Sequence, residues 1–189
     1  MPTAQEKHYT VEAFDALINL PENADKRFEL DQGSLIEVVP SQPIHVYIGS
    51  WVYHLIANFL EGKGLGVAYA DGCLFYLPNG DCWIPDAAYV SFARQPGIPE
   101  RYTLAPDLAV EVVSPGNSPR EILHKVESYI EGGTRIVWVV YPAEKIVDVW
   151  RPAAPGQLLK QKLTLSDHLD GGEVLPGLSI PLAAIFPAE

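Results

Sequence analysis

Asp86, Glu111 and Lys125 stand where packing alone would not put them. Asp86 follows Pro85 and opens the apolar segment Ala87-Ala88-Tyr89-Val90, which reads as a buried strand. Glu111 interrupts the run from Leu108 to Val113, so a carboxylate falls inside what is otherwise a core strand. Lys125 lies on the helix that follows. Two carboxylates and a lysine, carried by two strands and a helix, suit the binding of a divalent metal and the activation of a water. Lys125 also has a plainer account: a lysine at the edge of an apolar stripe, its stem packed and its ammonium in water, paired with Glu121 one turn earlier.

The elements that must position these groups are legible from periodicity. In residues 108–113, period two sets Glu111 on one face with Ala109 and Val113, and Val110 and Val112 on the other. Ser118-Pro119-Arg120-Glu121 has the form of a capping box, and the helix it opens runs to Gly132-Gly133 with Ile122, Val126, Tyr129 and Ile130 as its buried stripe. Residues 136–141 and 145–150 are two further strands, and the order strand, helix, strand predicts a parallel, right-handed crossover. Upstream, Thr10 caps a short helix bearing Phe14, Leu17 and Ile18. A hairpin turning at Asp31-Gln32-Gly33 carries Glu29 and Glu37, for which solvent-facing strand positions are the simple explanation. A long helix begins at Pro43, and His45 sits in its first turn, where the helix dipole could present it to a site; an ordinary surface histidine is the alternative. Strands follow at 66–70, 73–78 and 81–90, with Asn79-Gly80 as a hairpin turn between the last two. The turn-rich tail is expected to wrap the edge of the core.

Composition bounds the rest. The chain has 189 residues, 48% of them apolar, enough for one well-filled core. One domain over 1–189 is expected, with 1–26 as helix and lead-in and 27–186 as core and tail. No apolar run reaches the length of a membrane span, and the N-terminus lacks the pattern of a signal peptide. Cys73 and Cys82 form no metal-ligand motif, which suits a reducing, cytoplasmic setting. The net charge of −11 speaks against a broad nonspecific DNA-binding face. Neither a phosphate-binding glycine loop nor a serine-hydrolase elbow is present.

Taken in order, the acid-bearing hairpin, the long helix, the Pro85-Asp86 strand, the Val-Glu-Val strand with its Ser-Pro turn, the Glu121/Lys125 helix and the Val-Trp-Val strand resemble the Uma-two family. These are bacterial nucleases of the PD-(D/E)XK restriction-endonuclease-like superfamily. The resemblance covers residues 27–186. It implies a restriction-endonuclease-like α/β fold, of α+β mixed-sheet type, with a central sheet flanked by helices and an added N-terminal hairpin. Asp86 and Glu111 are then the metal-ligating acids, holding Mg²⁺ or Mn²⁺ with a backbone carbonyl near Val112, and Lys125 completes the catalytic set. The superfamily's usual lysine, two residues after the second acid, is replaced here by Val113, and Lys125 matches the position from which this family takes it. Glu121 stands where many relatives have Asp. Glu29 and Glu37 are the candidates for an additional N-terminal acid, and His45 is a further catalytic candidate.

The expected function is metal-dependent hydrolysis of DNA phosphodiester bonds, by a protein acting as a homodimer. A nuclease fold kept as a binding or assembly module with little turnover is the alternative, and hydrolysis of a smaller phosphate ester is a third. A basic rim of Arg94, Arg120, His124 or Arg135 around Asp86 would favour nucleic acid; a uniformly acidic one would favour the module.

Overall fold

Alternation along β7 (Leu108–Val112) divides the molecule into layers. Leu108, Val110 and Val112 face α2 (Pro43–Leu60), meeting Ile48, Val52 and Ile56 in one apolar cluster. Ala109 faces the other way, toward Ile122, Val126 and Tyr129 of α3 (Pro119–Glu131). The computed structural model describes residues 8–187, so the expectation of no leader segment and the two ends of the 1–189 domain fall partly outside the described residues.

The central sheet has six strands in the order β10-β9-β8-β7-β6-β3. These are β3 (Gly66–Ala70), β6 (Ala87–Ser91), β7, β8 (Ile136–Tyr141), β9 (Ile146–Ala154) and β10 (Gln157–Leu163). Only the β7–β8 pair is parallel, joined by the α3 crossover, so the sheet is mixed and flanked by helices as expected. A second sheet, ordered β2-β1-β5-β4, contains the hairpin β1 (Phe28–Asp31) and β2 (Ser34–Glu37) with two short strands, β4 (Phe75–Tyr76) and β5 (Cys82–Trp83). Gln32 and Gly33 both take positive φ, 45° and 80°, the conformation that a two-residue hairpin turn demands. Phe14 of α1 (Val11–Ile18) closes this sheet's small core against Phe28, Leu30 and Cys82.

Three expectations are revised. Residues 81–90 form two strands in different sheets, broken at Ile84-Pro85, because a proline has no N–H for the ladder and the chain crosses between sheets there. Asn79-Gly80 does turn an antiparallel hairpin, β4 to β5, but in a loop longer than two residues: Leu77 N–H donates to Asp81 O (2.8 Å), and the Asn79 amide reaches Ser128 of α3. β10, before the tail, extends the central sheet, and the tail is more ordered than its turn-rich sequence suggests, since β11 (His168–Gly171) pairs with β12 (Leu175–Pro181) to cover the α2 side of the core. Among the described residues, no helix is long and apolar enough to cross a membrane.

Candidate active site

Where β6 and β7 meet, the backbone itself locates Asp86. Its N–H donates to Val110 O (2.9 Å), and one of its carboxylate oxygens, Oδ2, accepts the Val112 N–H (2.6 Å). A strand amide that would otherwise be orphaned at the sheet's end is thereby satisfied by a side chain. α2 passes directly over the Cβ and backbone of this residue. At Gly49 an added Cβ would come within 3.1 Å of Asp86 Cβ, so the absent side chain sets how closely helix and acid approach.

Glu111 projects from the opposite face of β7 to Val110, toward α3, as period two predicts. It is 7% exposed, and both oxygens are engaged: Oε1 accepts the Tyr129 hydroxyl (2.8 Å) and Oε2 accepts from Lys125 (3.3 Å). Lys125 Nζ also donates to Glu29 Oε1 at 2.9 Å and lies 4.8 Å from the centre of the Trp83 ring. Glu29, 6% exposed, takes a second bond from the Ile84 N–H (3.0 Å). The surface account of Glu29 therefore fails, as does the Lys125–Glu121 pair: Glu121 instead closes the capping box with Ser118. The ammonium is drawn into the site because two buried carboxylates lie within its reach and Glu121 is committed to the helix start.

Asp86, Glu111, Lys125 and Glu29 line one cleft of about 440 Å³, with Arg27, Glu37, Asp71, Ser114 and Asn117 on its walls. Burial, reinforced by the charge of Glu111, pushes the Asp86 carboxyl up to about 7. Burial likewise raises Glu111, against the pull of Lys125. Burial opposes the charge on Lys125, but Glu111 and Glu29 together outweigh it and hold the ammonium above the usual lysine range. One cation thus faces three carboxylates. Two acids lining one cleft that is short of positive charge could hold a hard divalent cation through their oxygens, and Asp86 and Glu111 are the residues that would do so.

The other expected residues are dispersed. Glu37 is exposed on the cleft wall, outside the ion-paired cluster. His45 is buried and lines a neighbouring cleft that shares Gln42, Ser114, Pro115 and Asn117 with the first. Arg94 and Arg135 both pair with buried Asp107, which precedes β7 at the end away from Glu111. Arg120 and His124 border another hollow along α3. The rim around Asp86 is therefore mixed, with Arg27 and Lys125 among a majority of acids. Sequence reasoning passed over Tyr129 as a packing residue, although its hydroxyl anchors Glu111. It also does not bring Asp31, Asp81 and His124 together, although His124 is a candidate for a basic rim; their ligand atoms lie within 4.8 Å of one another. His124 Nε2 is 2.6 Å from Asp31 Oδ1, and Asp81 accepts from the Gln32 N–H and the Ser128 hydroxyl, so these residues tie the hairpin sheet to α3. No local pattern marks such contacts, which join positions far apart in the chain.

Comparison with known proteins agrees with this architecture. The crystal structure of a putative nuclease belonging to DUF820 from Anabaena variabilis superposes with a TM-score of 0.81 at 20% identity, covering 94% of this chain and 97% of that one. No curated protein matches the sequence. The sequence model of Uma2, described as "Putative restriction endonuclease", matches residues 11–183. With nearly the whole described chain matched in this way, the protein belongs to the Uma2 family.

Proposed function

We propose that the protein is a divalent-metal-dependent endonuclease that hydrolyses DNA phosphodiester bonds at the Asp86/Glu111/Lys125 cleft. The observation that carries this reading is the single ammonium of Lys125 held between Glu29 and Glu111, in the same cleft as the charge-poor Asp86 carboxyl. Mg²⁺ or Mn²⁺ bound by Asp86 and Glu111 would neutralise charge on the phosphate and acidify the attacking water. Lys125 orients that water and stabilises the negative charge gathering on the phosphoryl oxygens. Glu29 keeps the ammonium in place. Tyr129 fixes the carboxylate plane of Glu111 through Oε1. Water adds to phosphorus, one P–O ester bond breaks, and the products are a phosphate monoester and a hydroxyl. A cytoplasmic homodimer, presenting one site to each strand, completes the reading.

One observation favours a second reading, a nuclease-fold module with little turnover: acids outnumber cations around the cleft. Calorimetric titration with Mn²⁺ separates the two. The nuclease reading expects the wild type to bind, Asp86→Ala and Glu111→Ala to lose binding and cleavage, and both variants to keep the wild-type circular dichroism spectrum. A wild type that takes up no Mn²⁺ at millimolar concentration, with or without DNA, leaves the module as the better account.

A further inference from the structure

His45 is one of several buried polar side chains that the proposed mechanism leaves unused, with Thr134 and Asp148, and it is the one that lines a cleft adjoining the acids. It is 4% exposed, and its Nδ1 is buried with no hydrogen-bond partner among the described residues. Leaving such an atom unpaired in a protein interior costs about 1–3 kcal/mol, so its position calls for a function or a ligand. The ring occupies the third residue of α2, a helix of 18 residues whose N-cap, Gln42, makes no side-chain capping bond. Pro43 has no N–H, and the first turn contains no acid to neutralise the helix's positive end. His45 and Val46 direct their N–H groups to Gln42 O, at 3.0 and 3.3 Å, so Ile44 supplies the outward amide of this turn.

Gln42, Ile44 and His45 together line a cleft of about 530 Å³ with Ser114, Asn117, Tyr141 and one acid, Glu144. Across from the helix end, Asn117 Oδ1 accepts from both the N–H (2.8 Å) and the hydroxyl (2.9 Å) of Ser114. That engagement turns the Asn117 amide nitrogen, a donor, away from Ser114. A helix N-terminus, an imidazole and a side-chain amide lining one hollow are groups that suit a phosphate.

The hollow adjoins the acid cleft, which bears on which phosphate it would take. Gly49, one turn after His45, is the point where α2 touches Asp86. His45 therefore lies about 6 Å along the helix axis from that contact, four residues at about 1.5 Å each. In one strand of DNA, successive nucleotides advance about 3.4 Å along the axis, so the offset matches a step of one or two nucleotides. The shared wall of Gln42, Ser114, Pro115 and Asn117 makes the two clefts continuous. We propose that His45 and the N-terminus of α2 form a subsite for an internucleotide phosphate one or two positions from the bond that is cut. This deepens the nuclease reading and rests on it. It also explains how a chain of net charge −11 can engage a polyanion, using a helix end and neutral donors where other proteins use arginines.

Phosphate-ethylation interference on a DNA duplex, in the presence of Ca²⁺, tests the assignment, with the scission point mapped separately in Mn²⁺. The wild type should show interference at the scissile phosphate and at one neighbour within two nucleotides. His45→Leu, which fills the buried volume without a donor, should lose the neighbouring signal, keep the scissile one and bind DNA about tenfold more weakly. His45→Gln, which restores a donor, should recover the neighbouring signal and decides the matter if the leucine variant fails to fold. A neighbouring signal that persists in the folded leucine variant overturns the subsite, as does a wild-type pattern confined to the scissile phosphate; both leave the nuclease reading standing. If the wild type neither binds nor cuts DNA with any divalent cation, the nuclease reading and the subsite fall together.

Discussion

With its proton held to about pH 7, Asp86 would titrate within the range in which the cleft must act. Its folded pKa lies above the ordinary 3.8, so between those two values the folded chain binds more protons than the unfolded one. Stability from this group is full at low pH and is lost as pH rises through that window. Glu111 acts in the same direction. Urea unfolding without divalent cation should accordingly show a midpoint that falls from about pH 4 to about pH 7, and saturating Mn²⁺ should remove the fall. Because binding must displace the Asp86 proton, apparent Mn²⁺ affinity should rise by up to about tenfold per unit below pH 7 and level off above it. Lys125→Met removes the cation shared by two buried acids. We expect a loss of about 3–5 kcal/mol at neutral pH in urea titration, smaller at acid pH where the carboxyls are protonated, together with loss of cleavage.

Among the elements, α2 and the hairpin sheet decide the shape of the cleft. Gly49→Val would press a branched side chain against Asp86, already at contact distance from an ideal Cβ. Overpacking of this kind costs about 1–3 kcal/mol, and Mn²⁺ affinity measured by calorimetry should drop more than tenfold as α2 is displaced. The strands and helices that carry Asp86, Glu111 and Lys125 are legible in the sequence because each charge violates a local period: an acid in an apolar strand, a lysine beside an apolar stripe. The capping box of α3 is legible for the same local reason. Glu29 is not, since an acid in a short hairpin strand reads as solvent-facing until its partner, 96 residues later, is known to lie above it. The break at Ile84-Pro85 escapes notice because the run from Cys82 to Val90 is almost uniformly apolar, whereas the two sheets it joins are defined only by tertiary pairing.

At the scale of the molecule, charge governs the encounter with substrate. A net charge of −11 repels a polyanion at long range, and the two arginines at the far end of β7 share Asp107 as a counter-charge. Affinity for DNA should therefore depend on divalent cation bound in the cleft, being undetectable by fluorescence anisotropy in EDTA. Each phosphate neutralised by a basic side chain contributes about −0.9 to the slope of log affinity against log salt. With Arg27 and Lys125 as the cations at the cleft, a slope no steeper than about −3 is expected; a much steeper one would place the DNA on a different face.

The two bonds of Lys125 also set an order of events in folding. Its contact with Glu111 spans 14 residues, within the unit of β7, α3 and β8, while its contact with Glu29 spans 96. Short loops close at less entropic expense than long ones, so the crossover unit can consolidate while the hairpin sheet is still undocked. Lys125 would remain hydrated on one side through that stage, and the charge cluster would be sealed from water only when β1 arrives. Refolding experiments should then find that substitutions in α3 slow the formation of structure, whereas substitutions at Glu29 chiefly speed its loss.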